Sequence, residues 1–138
     1  MPLQFLIGSA MISLTIIIHV SFTAAAEWGL RREQIWPGKR AGMFRFIGLL
    51  VGMTLLLLAS ISVCVWLWAF CLIAVGAVRD VEPAVYFALV SFTTIGFGDI
   101  VLEKEWRILS GLMGANGLLI FGLTTAVLMD FLARFRRN

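Results

Sequence analysis

The sequence predicts an all-α membrane protein with three spanning helices and one short re-entrant helix. Three observations carry this reading. The chain has 138 residues, of which 61% are hydrophobic and 14% charged, too apolar for a soluble domain of that size. Its apolar residues gather in three runs, at about 3–26, 46–78 and 106–133. Each reaches the roughly 20 residues that a spanning helix needs. A fourth apolar piece, residues 84–92, is too short to span and suits a re-entrant segment.

The first run ends in Ala24-Ala25-Ala26, which has the small residues of a signal-peptide cleavage site. No Lys or Arg stands among residues 1–5, so the basic leader region is missing and an uncleaved helix is expected. A basic loop, residues 27–42, follows. It holds Trp28 and Trp36 as inner-interface anchors and a turn at Pro37-Gly38. Arg31, Arg32, Lys39, Arg40 and Arg45 lie on this side, with Arg134, Arg136 and Arg137 after the third run. The 79–106 connection has only Arg79, Lys104 and Arg107, against Asp80, Glu82, Asp99, Glu103 and Glu105. The bias predicts an inner or plasma membrane protein with its N-terminus outside and C-terminus cytoplasmic. The net charge of +3 is thus a topology signal, and no nucleic-acid partner is expected.

In the second run, Cys64 and Cys71 are seven residues apart. On one helix that is about 10 Å along the axis, too far for a disulfide. Trp66, Trp68 and Trp106 are expected at the outer interface. Gly48 and Gly52 permit close helix approach. The short helix has acids, Asp80 and Glu82, at its start, where they suit the dipole. Pro83 fits its first position. The helix is expected to stop near Phe92, because Gly96 and Gly98 follow.

Residues 93–99 read Thr-Thr-Ile-Gly-Phe-Gly-Asp. A potassium ion sorted from sodium must exchange its water for oxygens at fixed positions, and backbone carbonyls can supply them. An ordinary strand alternates its carbonyls. Turning them the same way needs unusual backbone angles, which glycine tolerates. On this reading Thr94, Ile95, Gly96, Phe97 and Gly98 form a selectivity filter, with K+ held at Thr94, Ile95, Gly96 and Phe97. The Thr94 hydroxyl adds oxygens at the inner end, and Asp99 attracts cations at the outer mouth. Ile95 and Phe97 turn outward and brace the segment. One chain supplies a quarter of the ring, so a homotetramer is expected. The C-terminal end of the short helix would favour a cation at the pore centre.

These residues resemble the potassium-channel pore family over about 46–133: outer helix, pore helix, filter and inner helix. The stretch 121–128, Phe-Gly-Leu-Thr-Thr-Ala-Val-Leu, resembles the cavity lining of small bacterial two-span channels. The resemblance implies passive potassium conduction, without enzymatic activity or cofactor. It puts Gly117 at the family's inner-helix hinge and Leu118, Phe121 and Thr125 along the cavity. Met129 and Ala133 fall near the inner constriction. The chain departs from the family in three ways. The first span is additional. Val90 replaces a carboxylate that pairs, in some members, with the position of Asp99. Phe97 replaces the usual tyrosine and lacks its hydroxyl. Less polar bracing is therefore expected behind the filter, offset in part by packing of Phe97 on Phe87 or Tyr86. Gating at least partly in the filter, responsive to external potassium, follows as an expectation.

The chain thus divides into residues 1–42, an additional span with its basic loop, and residues 43–138, a pore domain. Gly111, Gly114 and Gly117 recur every three residues and are expected to pack on the pore helix. Asn116 is expected to bond behind the filter, and Asp130 to pair with Arg134 four residues on. His19, alone in the first span, is either a structural bridge between helices or functional. Without regularly spaced arginines in that span, voltage sensing is not expected. The tail at 134–138 is too short for a ligand-binding domain. Two other functions fit the same pattern: a weakly selective cation channel, and a non-conducting regulatory membrane subunit. Membrane lipids are the remaining partner.

Overall fold

The computed structural model describes residues 1–32 and 42–137. Four helices follow in order: α1 (Pro2–Arg32), α2 (Met43–Ala74), α3 (Val81–Phe92) and α4 (Arg107–Arg137). No strand occurs among the described residues. α1, α2 and α4 are long and apolar enough to cross a membrane, and α3 is the short apolar helix between them. α3 packs on both α2 and α4, and α1 packs on α4 and α2. Trp68 and Leu72 of α2, Phe92 of α3, and Leu109 and Met113 of α4 meet in one buried core.

α1 and α4 run in the same direction, side by side. Gln4 Oε1 accepts a hydrogen bond from the Ile108 amide at 3.0 Å. A Cβ on Gly8 would collide with Leu112. Asn116 Nδ2 donates to Thr15 Oγ1 at 2.7 Å. His19 Nε2 lies 3.3 Å from Thr124 Oγ1. Gln4 thus satisfies one of the backbone donors that every helix leaves open in its first turn. His19 Nδ1 also meets Ser60 Oγ at 2.9 Å, so the imidazole bridges α1, α2 and α4. Of the two readings of His19, the bridge is the one found. Asn116 bonds to α1, not behind the filter as expected.

Several boundaries differ from the sequence reading, each for a local reason. α1 runs on through Arg32, so residues 27–32 are helix rather than loop. Glu27, Leu30, Arg31 and Arg32 are good helix formers, and no proline stands among the six. α2 ends at Ala74 rather than near 78. Gly76 adopts φ +73°, with its amide donating to the Ile73 carbonyl at 3.0 Å and the Ala77 amide to Leu72 at 2.9 Å. This pair of bonds is a Schellman stop. α3 begins at Val81, so Pro83 is its third residue, not its first. A missing N–H is still harmless there, since the first four have no helical partner. Trp68 is fully buried in the core rather than at an interface. Among the described residues, a Cβ added to Gly48 or Gly52 would meet no other helix within 4 Å. Cys64 and Cys71 are both free thiols. The expected turn at Pro37-Gly38 and the anchor Trp36 lie outside the described residues.

Candidate functional site

The segment after α3 folds back onto the helix end. The Thr94 amide donates to the Ser91 carbonyl at 3.0 Å, and the Ile95 and Gly96 amides both donate to Val90, at 3.0 and 3.3 Å. Thr93 Oγ1 donates to the Leu89 carbonyl at 2.8 Å. Three of the four open carbonyls of the last turn are thus satisfied by the segment that follows. From there the backbone alternates. Thr94, Gly96 and Gly98 have φ of 60°, 57° and 80°, whereas Ile95 and Phe97 stay out of the positive region. Glycine makes such angles easy; for the β-branched Thr94 they are an outlier, with a strain of roughly 1–3 kcal/mol.

α4 supports this segment through two glycines. A Cβ on Gly117 would overlap the Phe92 carbonyl oxygen and lie 2.7 Å from its carbon. A Cβ on Gly114 would lie 3.3 Å from the Ser91 carbonyl oxygen and 3.8 Å from Thr94 Cγ2. The two form a notch that seats the last carbonyls of α3. Gly111 takes no part, with nothing within 4 Å, so the expected three-glycine contact is a two-glycine contact. The Phe92 ring meets Phe121 edge-on, with centroids 6.1 Å apart.

At the other end, Tyr86 Oη donates to Asp99 Oδ2 at 2.6 Å. This bond holds the Asp99 carboxyl below the usual carboxylate range and raises the Tyr86 phenol. The carboxylate partner missing at Val90, which is buried, is thus replaced from α3 by a phenol. The expected packing of Phe97 does not occur within the chain. Phe97 is 70% exposed and Ile95 57% exposed, so more than half of each stands clear of its own chain. Phe87 is buried elsewhere, in the core.

The residues assigned to a cavity share one face of α4. Leu118 is 62% exposed and Met129 61%, with Phe121 and Thr125 exposed between them, at the three- and four-residue spacing of one helix stripe. Among the described residues, the Phe92 ring covers part of Phe121, and the rest of the stripe is exposed. Gly117 lies one step round the helix, on α3. At the cytoplasmic end expected from the charges, Arg134 Nε donates to Asp130 Oδ2 at 2.6 Å, as expected. A second guanidinium nitrogen reaches Glu27 of α1 at 3.6 Å.

No curated protein and no solved structure gives a significant match to the chain. A family model described as an ion channel matches residues 52–134. That interval takes in most of α2, all of α3, the segment 93–99 and most of α4, the parts that build the site. The chain is therefore a multi-pass membrane protein that belongs to the ion channel family, the small potassium-channel pore type.

Proposed function

We propose that the chain is one subunit of a homotetrameric, potassium-selective channel whose filter is residues 93–99. The observation that carries this is the alternation of backbone hand at Thr94, Gly96 and Gly98. Alternating hand turns successive peptide planes the same way, which is what a column of carbonyl oxygens requires. Such backbone is tolerated at membrane depth where it lines an aqueous path or is buried in protein. K+ is the transported ion, held at Thr94, Ile95, Gly96 and Phe97. Asp99, kept ionised by Tyr86, sits at the outer mouth. Leu118, Phe121, Thr125 and Met129 line the inner cavity. The charge bias supports an N-terminus outside and a C-terminus in the cytoplasm, in an inner or plasma membrane. Passive conduction makes this a channel and not an enzyme.

Purified protein in liposomes tests the reading. A reversal potential that follows the potassium gradient in mixed potassium and sodium is the expected result. A potential near zero would replace it with a weakly selective cation channel, and absence of flux with a non-conducting subunit.

A further inference from the structure

We propose that the additional helix α1 positions the filter: Thr15, through Asn116, holds α4 against the end of α3 from which the filter hangs. This rests on residues 93–99 being the filter. It gives a role to a helix outside the 52–134 family match.

The path is short and buried. Thr15 and Asn116 are both fully buried. The Thr15 hydroxyl donates to the Met11 carbonyl at 2.9 Å or to Ile12 at 3.0 Å, which leaves its oxygen to accept from Asn116. Next along α4 is Gly117, seated on the Phe92 carbonyl. Two residues before Asn116, Gly114 lies against the Ser91 carbonyl and the Thr94 methyl. α4 is therefore clamped between α1 on one side and the C-terminal end of α3 on the other. The carbonyls of Val90 and Ser91 that receive the first filter amides belong to that same end.

Asn116 is a costly residue for packing alone. Its Oδ1 is buried with no hydrogen-bond partner among the described residues, so it has lost its water without gaining a replacement bond. A leucine would fill similar space without that cost. One turn further along α1, His19 ties Ser60 and Thr124 to the same assembly, so the clamp has a second fixed point. Loss of the Thr15 bond frees α4 to move off the α3 end. The filter, which hangs on that end, loosens with it.

Thr15→Val exchanges the hydroxyl for a methyl at nearly constant volume, and Thr15→Ser keeps the hydroxyl. Hydrogen exchange on full-length protein in lipid nanodiscs reads the amides of Thr94, Ile95 and Gly96. In Thr15→Val they are expected to exchange about fivefold faster, the factor for one net hydrogen bond, and at the wild-type rate in Thr15→Ser. The amides of α2 should not change. Asn116→Leu is the second variant and should act in the same direction. The double variant should add nothing to it, because both changes remove one bond. Wild-type exchange at 94–96 in Thr15→Val, equal loosening of α2, or additive effects in the double variant would overturn the proposal. In current recordings, decay at low external potassium should quicken in Thr15→Val and recover in Thr15→Ser. A wild type without potassium selectivity would defeat the proposed function, while the exchange rates still decide the positioning role.

Discussion

At the scale of residues, the left-handed positions carry the functional argument. Among the described residues, a Cβ at Gly96 or Gly98 would meet nothing within 4 Å beyond the adjacent residues. The penalty for alanine is therefore conformational, roughly 1–2 kcal/mol per residue, repeated in every copy around an axis. Gly96→Ala and Gly98→Ala are each expected to abolish potassium-selective flux while the protein still inserts; wild-type selectivity in either would remove the segment from the ion path. Both glycines were legible in the sequence, but the hand of Thr94 was not. A β-branched residue is the last one expected at positive φ, although the two-residue period set by Gly96 and Gly98 points to it. The bond from Tyr86 to Asp99 was also missed, since it depends on how the segment 93–99 returns to α3. It yields a pH prediction. The Asp99 carboxyl is held low chiefly by the phenol, so its charge persists as pH falls and is lost only on passing that lowered value. Tyr86→Phe removes the bond, lets the value rise, and moves the loss of current on external acidification to higher pH. An unmoved midpoint would mean that Asp99 does not set cation supply at the mouth.

At the scale of elements, the helices were legible because each is an apolar run of the right length, and their ends were not. Gly76 ends α2 through two backbone bonds, a stop that the unbroken apolar run through Val78 conceals. α1 outlasts its apolar run because Arg31 and Arg32 are helix formers as well as topology signals. The glycines of α4 show the same limit. Their three-residue spacing marks a packing face, but which ones touch depends on where α3 ends. Gly117→Ala forces a Cβ into the Phe92 carbonyl. A rigid carbonyl at a helix end cannot yield as a side-chain tip can, so α3 or α4 must shift. The variant is expected to lose selective conduction or a stable assembly. Gly111→Ala meets nothing within 4 Å and gains helix propensity of about 1 kcal/mol, so it should conduct as wild type. Thermal stability and flux, measured on both, separate contact from flexibility: equal tolerance would mean that α4 is not seated on α3 through Gly117.

At the scale of the whole molecule, one chain leaves uncovered the surfaces that an ion pathway must enclose. Ile95 and Phe97 of the proposed filter are both more than half exposed among the described residues. The stripe of Leu118, Phe121, Thr125 and Met129 on α4 is exposed as well. A backbone with carbonyls committed to an ion cannot face lipid, because each unsatisfied group there costs several kcal/mol. Closure around an axis resolves both problems. Neighbouring copies would cover Ile95 and Phe97, and the α4 stripes would face a shared aqueous cavity. With one filter segment per chain, the proposed channel takes four copies. Native mass measurement in a membrane mimic should therefore give four times the 15.3 kDa chain. Phe97→Asp, which puts a charge where an apolar neighbour is expected, should shift the population toward smaller species without removing the protein from the membrane. A conducting dimer, or a Phe97→Asp variant that assembles as wild type, would show that another arrangement covers the filter.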